Sequence, residues 1–211
     1  MKNKIFLSIS LLVLLFVQVA CTPVEGVLEV QIEPAAQVQG EENPLNDAKA
    51  IAKLLLGIDG NFLPLEKIQY LTAPCTTADG LGGPPKCAEG QADGTLIEVF
   101  PVGGPEGSYA TADNIESVLA SMTLKRLYAV YEIPSDTYTD EYCPIGQYAL
   151  LFERELNDIP MPITAHVRDG KLVRLDFHFG VSEEDELQSI PVELVLIPPA
   201  GVEAWLGTTG Q

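Results

Sequence analysis

The chain has 211 residues, 46% of them hydrophobic, and its 30 acidic against 12 basic side chains give a formal net charge of −18. A field of this sign repels nucleic acids and anionic headgroups, so we exclude nucleic acid as a partner. The apolar fraction is sufficient for a hydrophobic core, and the length suits one domain behind an N-terminal segment.

The first residues have the pattern of a secretory signal peptide. Lys2 and Lys4 precede an apolar run over residues 5–17, and Ala20 is a small residue before a cleavage site. These are the three parts of an export signal. The run is shorter than the roughly 20 residues that a membrane-spanning helix needs. We therefore predict a signal peptide over residues 1–20.

The end of this segment, Gln18-Val19-Ala20-Cys21, resembles a bacterial lipobox. In lipoproteins the cysteine becomes the first mature residue and carries lipid on its sulfur. The resemblance thus implies lipidation of Cys21 and an envelope protein anchored to the outer face of a membrane. Gln18 departs from the pattern, which usually has an aliphatic residue there. Cleavage without lipidation is the alternative and would give a secreted protein.

Composition divides the rest of the chain into three parts. Residues 21–45 contain scattered Glu, Gln, Pro, Ala and Gly with no persistent period, which predicts a disordered acidic tether. Residues 46–206 are predicted to form a single domain, and residues 207–211 a short tail.

Cys75 and Cys87 bracket a loop that is rich in Gly and Pro. Such a loop is poorly held by regular hydrogen bonds, and export permits disulfides. We predict a Cys75–Cys87 bridge that contributes on the order of 3 kcal/mol. If Cys21 is lipidated, Cys143 is left over, either as a buried thiol or as the true partner of one of the pair.

Capping residues and apolar periodicity predict helices early in the domain. Asn46 and Asp47 can cap a helix over residues 48–56, and further helices are expected over 64–71 and 111–121. Segments typical of strands cover residues 95–100, 124–133, 146–155, 161–168, 171–179 and 190–197.

This order of elements predicts an α+β fold. We expect N-terminal helices packed on a curved, mostly antiparallel sheet of about five to six strands. The order resembles the nuclear-transport-factor-2-like cone fold, a fold that hosts both enzymes and binding domains. An acidic segment over 182–187 is expected to be a loop or short turn.

His166 and His178 lie on the two strands of a hairpin whose turn is Asp169-Gly170. A two-residue turn pairs His166 with Val173, and side chains alternate along each strand. The two imidazoles are then on opposite faces and cannot share a metal ion unless the register slips. We predict neither a metal site nor a cofactor.

His166 is predicted to lie on the apolar face of the hairpin. There it is either a core histidine with one satisfied hydrogen bond or a polar group in a sheet-lined pocket. In such a pocket Thr164 and a tyrosine, Tyr148 or Tyr128, are its expected neighbours. Acid–base chemistry would require a nearby carboxylate, and the sequence indicates no such partner.

Motifs of several enzyme classes are absent from the sequence, among them Gly-x-Ser-x-Gly, Ser-x-x-Lys, His-Glu-x-x-His and Cys-x-x-Cys. The leading hypothesis is a non-enzymatic, membrane-anchored domain that binds a small apolar ligand or another envelope protein, and no catalytic residue is assigned. The alternatives are an enzyme of the cone fold with His166 in its pocket, and a purely structural tethered domain.

Overall fold

The structure of the protein is a computed structural model. The described residues are 43–80, 83–103, 108–135, 137 and 142–208. The predicted signal peptide, Cys21, the tether up to residue 42 and the last three residues of the tail lie outside them. Among the described residues, no helix is long and apolar enough to cross a membrane.

The described residues form four α-helices and ten strands. The helices are α1 Pro44–Leu55, α2 Ile115–Ser121, α3 Glu183–Gln188 and α4 Val202–Leu206. The strands are β1 Leu71–Pro74, β2 Leu96–Val102, β3 Ser108–Ala110, β4 Arg126–Glu132, β5 Tyr148–Glu153, β6 Glu155–Leu156, β7 Ile159–Pro160, β8 Ile163–Arg168, β9 Lys171–Phe177 and β10 Val195–Ile197.

Eight strands form one sheet in the order β1-β2-β9-β8-β5-β4-β10, with β3 paired to β2, and β6 and β7 form a separate hairpin. Neighbouring strands are antiparallel except β2 and β9, which are parallel. The predicted α+β class and mostly antiparallel sheet are confirmed. The predicted number of five to six strands is too low, because β1 and β3 are too short to give a periodic signal.

The prediction that the helices precede the sheet is wrong. Only α1 precedes the strands, while α2 lies between β3 and β4, and α3 and α4 follow β9. The helix expected over 64–71 is a single 3₁₀ turn, Leu65–Lys67, followed by β1. The segment expected as an acidic loop is α3, whose first turn is capped by Ser182.

Helix α1 begins earlier than its predicted start, inside the segment assigned to the tether. The side chain of Asn43 accepts a hydrogen bond from the Leu45 N–H at 3.0 Å, and Pro44 stands in the first turn. Proline suits this position because its ring fixes a helical φ and its missing N–H has no partner there anyway. The helix buries Ala48 and Ile51 in the core.

The sheet has apolar residues on both faces. The larger core, on the face that α1 and α4 cover, includes Phe100, Leu127, Leu150, Phe152, Ile163 and Leu175. A smaller cluster of Tyr131, Ala149 and Leu151 packs against Leu187 and Ile190, at and just beyond the end of α3. The sheet therefore separates a closed core from a second, thinner layer.

Cys75 and Cys87 form a disulfide, which is the pairing predicted from the loop that they enclose. Cys143 is a buried thiol outside this bridge. Its carbonyl oxygen accepts a hydrogen bond from Arg174 Nη1 at 3.5 Å, so this segment contacts the second face of the sheet.

Candidate ligand-binding site

The β8–β9 hairpin has the predicted turn but not the predicted register. Asp169 and Gly170 both have positive φ, 50° and 68°, and the two pairs next to the turn form as expected. Beyond them His166 lies opposite Arg174 rather than Val173. Strand β9 thus has one extra residue, which constitutes a β-bulge.

This bulge changes which side chains share a face with His166. A shift of one residue turns side chains to the other side of a sheet. His166 and His178 now line one cavity together with Thr164 and Asp176. The prediction that the histidines lie on opposite faces is wrong, because it assumed an unbroken ladder of pairs.

Gly146 lies against β8, the partner of the bulged strand, in a position that excludes any larger residue. Its N–H donates to His166 Nδ1 at 3.4 Å, and the next N–H, of Gln147, donates to the Val167 carbonyl at 2.8 Å. A Cβ on Gly146 would stand 2.6 Å from the Val167 nitrogen and 2.8 Å from its oxygen. Glycine is therefore needed for this close approach of two backbones.

Asp176 joins His166 and Arg174 in a buried group. Its carboxylate accepts hydrogen bonds from His166 Nε2 at 3.0 Å and from Arg174 Nε and Nη2 at 2.6 and 2.5 Å. Because a carboxylate only accepts, Nε2 of His166 carries a proton, and Nδ1 is left to accept from Gly146. Both ring nitrogens of His166 are thus bonded within the protein.

The surroundings of Asp176 keep it ionised. Burial raises the pKa of this carboxyl, but the hydrogen bonds from His166 and Arg174 outweigh burial and lower the pKa to about 2. The paired donors of Arg174 fit the two carboxylate oxygens, a strong arrangement for a buried charge.

A second chain of polar groups contains a hydroxyl, an imidazole and a carboxylate. Thr164 Oγ1 is 2.9 Å from His178 Nε2, and His178 Nδ1 is 3.2 Å from Glu186 Oε2. With its ring proton on Nδ1, facing Glu186, His178 can accept the proton of the Thr164 hydroxyl at Nε2. Thr164 is in β8, His178 directly follows β9, and Glu186 is in α3.

Tyr131 places a further hydroxyl beside Thr164. The two hydroxyls are hydrogen-bonded, and burial raises the pKa of Tyr131 to about 12. The phenol consequently remains protonated across the physiological range of pH, and it can donate its proton to Thr164 Oγ1 while Thr164 donates to His178.

The cavity between the sheet and α3, here called the sheet–α3 cavity, has a volume of about 260 Å³. Its polar groups are on the sheet and on α3, and its other wall is largely aliphatic. The lining residues that supply this second wall are Ile133, Pro134, Ile190, Pro191 and Leu194. A small concave site with a few convergent polar groups on an apolar wall is typical of small-molecule binding.

The charge of the sheet–α3 cavity is negative. Of the described residues that line it, none is lysine or arginine, while Glu132 and Glu186 are carboxylates. Arg174 is not among the lining residues, and its guanidinium is bound to Asp176. The cavity therefore favours neutral or cationic groups over anions.

The structure brings together two of the four predicted pocket residues, His166 and Thr164. Tyr148 packs against the larger core instead, and Tyr128 packs against the smaller cluster, outside the cavity lining. The tyrosine at the cavity is Tyr131.

Sequence reasoning missed Tyr131, Asp176, His178 and Glu186 as members of the site. The regular register that was assumed for the hairpin placed Asp176 and His178 on the opposite face from His166. Glu186 was assigned to a solvated acidic segment. The alternation of faces along β4 was the only signal for the correct tyrosine, because it separates Tyr128 from Tyr131. A bulge in β4 after Leu127 disturbs that alternation too.

Two larger cavities, of about 470 and 500 Å³, lie at the ends of α1, α2 and α4, and neither is lined by a histidine. In the part of the chain that the structure describes, no group of three His, Cys, Asp or Glu side chains is placed to hold a metal ion. The convergence of polar side chains singles out the sheet–α3 cavity.

Comparison with protein-family models, with curated proteins and with solved structures gives no match for this chain.

Proposed function

We propose that this domain binds a small, partly apolar molecule in the sheet–α3 cavity. The observation that carries the proposal is the contrast between the two walls. One presents hydrogen-bonding groups of Tyr131, Thr164 and His178, and the other presents aliphatic side chains. The polar end of the ligand lies against the first wall and its hydrocarbon part against the second.

The ligand is neutral or cationic in this proposal. An anion entering the cavity would lose hydration and meet Glu132 and Glu186 without a free guanidinium or ammonium to pair with. Burial of an unpaired charge beside like charges is costly. The overall charge of −18 adds to this preference at longer range.

The hypothesis of an enzyme that uses His166 as acid or base has less support than the binding proposal. Both ring nitrogens of His166 already have partners, Asp176 and Gly146. Its contacts suit a residue that fixes the shape of the cavity. A purely structural domain has no use for a cavity with polar side chains. Binding of another envelope protein does not account for the concave form of this cavity.

The setting in the cell is part of the proposal. The N-terminal pattern ending at Cys21 supports anchoring at the outer face of a membrane, with release into the medium as the alternative. Intact mass spectrometry of the mature protein tests this, since lipidation adds acyl chains to a chain that begins at Cys21. A mature chain without added acyl mass would overturn the anchor.

Three molecules with the same six-carbon chain test the binding proposal: 1-hexanol, hexylamine and hexanoate. Isothermal titration calorimetry of the mature domain is expected to show saturable binding of the alcohol and the amine, and at least tenfold weaker binding of the acid. Tightest binding by hexanoate would overturn the assigned ligand charge. Failure of all three to bind would overturn the proposed function.

A substitution that fills the cavity gives an independent check. Ile190→Trp places an indole in the aliphatic wall and should abolish hexanol binding. Val192→Trp is the matched control, because Val192 is 84% exposed and lies outside the lining. Circular dichroism and a cooperative melting transition for both variants separate loss of binding from loss of folding.

A further inference from the structure

The chain formed by Thr164, His178 and Glu186 has the geometry of an activated hydroxyl nucleophile. A nucleophile in hydrogen-bond reach of a base, with the base oriented by a third group, is the signature of covalent catalysis. The two distances here are 2.9 and 3.2 Å, and all three side chains line the sheet–α3 cavity.

We propose that the cavity hydrolyses small neutral carboxylic esters, with Thr164 as nucleophile, His178 as general base and acid, and Glu186 orienting His178. This inference rests on the proposed function, since the ester is a ligand of the same cavity. The order of the three residues along the chain differs from that in familiar serine motifs, and such a site is recognised by geometry rather than by sequence.

In the first step Thr164 Oγ1 attacks the carbonyl carbon of the ester while His178 Nε2 takes the hydroxyl proton. The bond from the carbonyl carbon to the leaving oxygen then breaks, and His178 returns the proton to that oxygen, which leaves as an alcohol. Glu186, whose carboxylate lies 3.2 Å from Nδ1, stabilises the transient imidazolium.

In the second step water attacks the acyl-threonine carbonyl while His178 takes a proton from the water. The bond between the acyl carbon and Thr164 Oγ1 breaks, the proton returns to Oγ1, and the carboxylic acid leaves. The sum is ester plus water to alcohol plus acid. The acid ionises on release, and the negative cavity then disfavours its return.

Tyr131 supplies the donor to the tetrahedral intermediates by turning its hydroxyl proton from Thr164 Oγ1, which is then bonded to carbon, to the adjacent carbonyl oxygen. Its hydroxyl is bonded to Thr164 and remains protonated because it is buried. A preorganised donor beside the reacting carbon stabilises the negative charge that develops on the carbonyl oxygen.

The test uses p-nitrophenyl butyrate with the mature domain, followed by peptide mass spectrometry. Turnover should be accompanied by a butyryl group on the tryptic peptide 155–168, in which Thr164 is the only residue with a hydroxyl. Thr164→Val should abolish both signals, and Thr164→Ser should keep them. His178→Gln should slow turnover by about 100-fold or more, since general acid–base catalysis contributes about 10²–10⁴-fold.

Thr72→Val is the matched control, because Thr72 is exposed on β1, and it should turn over substrate as the unchanged protein does. Butyryl on a lysine peptide alone, or full activity of Thr164→Val, would overturn the catalytic inference. Saturable binding of hexanol without turnover would also overturn it and leave the proposed function standing. Loss of hexanol binding would instead count against the proposed function itself.

Discussion

The environment of His166 is decided by a single extra residue in β9. Without the bulge His166 would lie opposite Val173, and with it His166 lies opposite Arg174 and bonds Asp176. A histidine that was predicted to lie on an apolar face thereby joins a buried ion pair. Gly146 supports this arrangement, because its N–H donates to His166 Nδ1 and its missing Cβ leaves room for the Val167 backbone.

Gly146→Ala is expected to destabilise the domain by roughly 3 kcal/mol, in the range of overpacked cores and strained backbones. The added methyl would stand 2.6 Å from a backbone nitrogen, so β5 and β8 must move apart. Urea denaturation measures the loss. Gly201→Ala is the control, since its Cβ would have only ordinary contacts of 3.7 Å or more, and an equal loss in both variants would contradict this account.

Asp176 makes stability depend on acid pH. Its folded pKa of about 2 lies below the ordinary value of 3.8, so its contribution is present above pH 4 and is lost as pH falls towards 2. The contribution is about 2 kcal/mol. Asp176→Asn should be less stable than the unchanged protein at pH 7 and lose little more at pH 3, measured by urea denaturation. Asp79→Asn, at an exposed site, should keep the original acid dependence.

At the scale of elements, the sequence predicted those with strong local signals. Strands β4, β5, β8, β9 and β10 lie in the segments predicted as strands, β2 extends two residues beyond its predicted segment, and the Asp169-Gly170 turn forms as expected. The site required two features without a local signal. One is the bulge in β9, which lies within a regular hairpin pattern, and the other is α3, which was obscured because four successive acidic residues look like a solvated loop.

Helix α3 is stabilised mainly at its first turn. Ser182 Oγ accepts the Asp185 N–H at 3.2 Å, and the acidic residues lie near the positive end of the helix dipole. Ser182→Ala should cost about 1 kcal/mol. Hydrogen exchange over 183–188 should accelerate, and hexanol affinity should fall, because Glu186 loses its position. Ser108→Ala, at an exposed position in β3, should change neither measurement.

The disulfide and the cavity lie in different regions of the sheet. The bridge closes a loop beside β1, at the edge of the sheet, whereas the cavity lies over β8, β9 and β4. The bridge therefore contributes to the stability of the domain without shaping the ligand site.

Cys75→Ser combined with Cys87→Ser should lower the free energy of unfolding by about 3 kcal/mol, the expected effect for a loop of this length. Hexanol affinity should remain within about twofold of the original value. Thermal melting and calorimetry on the same sample measure both. A large loss of affinity in a folded double variant would show that the loop supports the cavity.

The parallel pairing of β2 with β9 joins segments far apart along the chain, and α1 also packs on β5, β8 and β9. The first helix consequently has no surface to pack on until the last third of the chain has been synthesised. Non-local contacts of this kind slow folding, because a long loop must close before they form. In the export that we propose for this protein, a core that is completed late leaves the polypeptide longer in the extended state in which chains are threaded through a secretion channel.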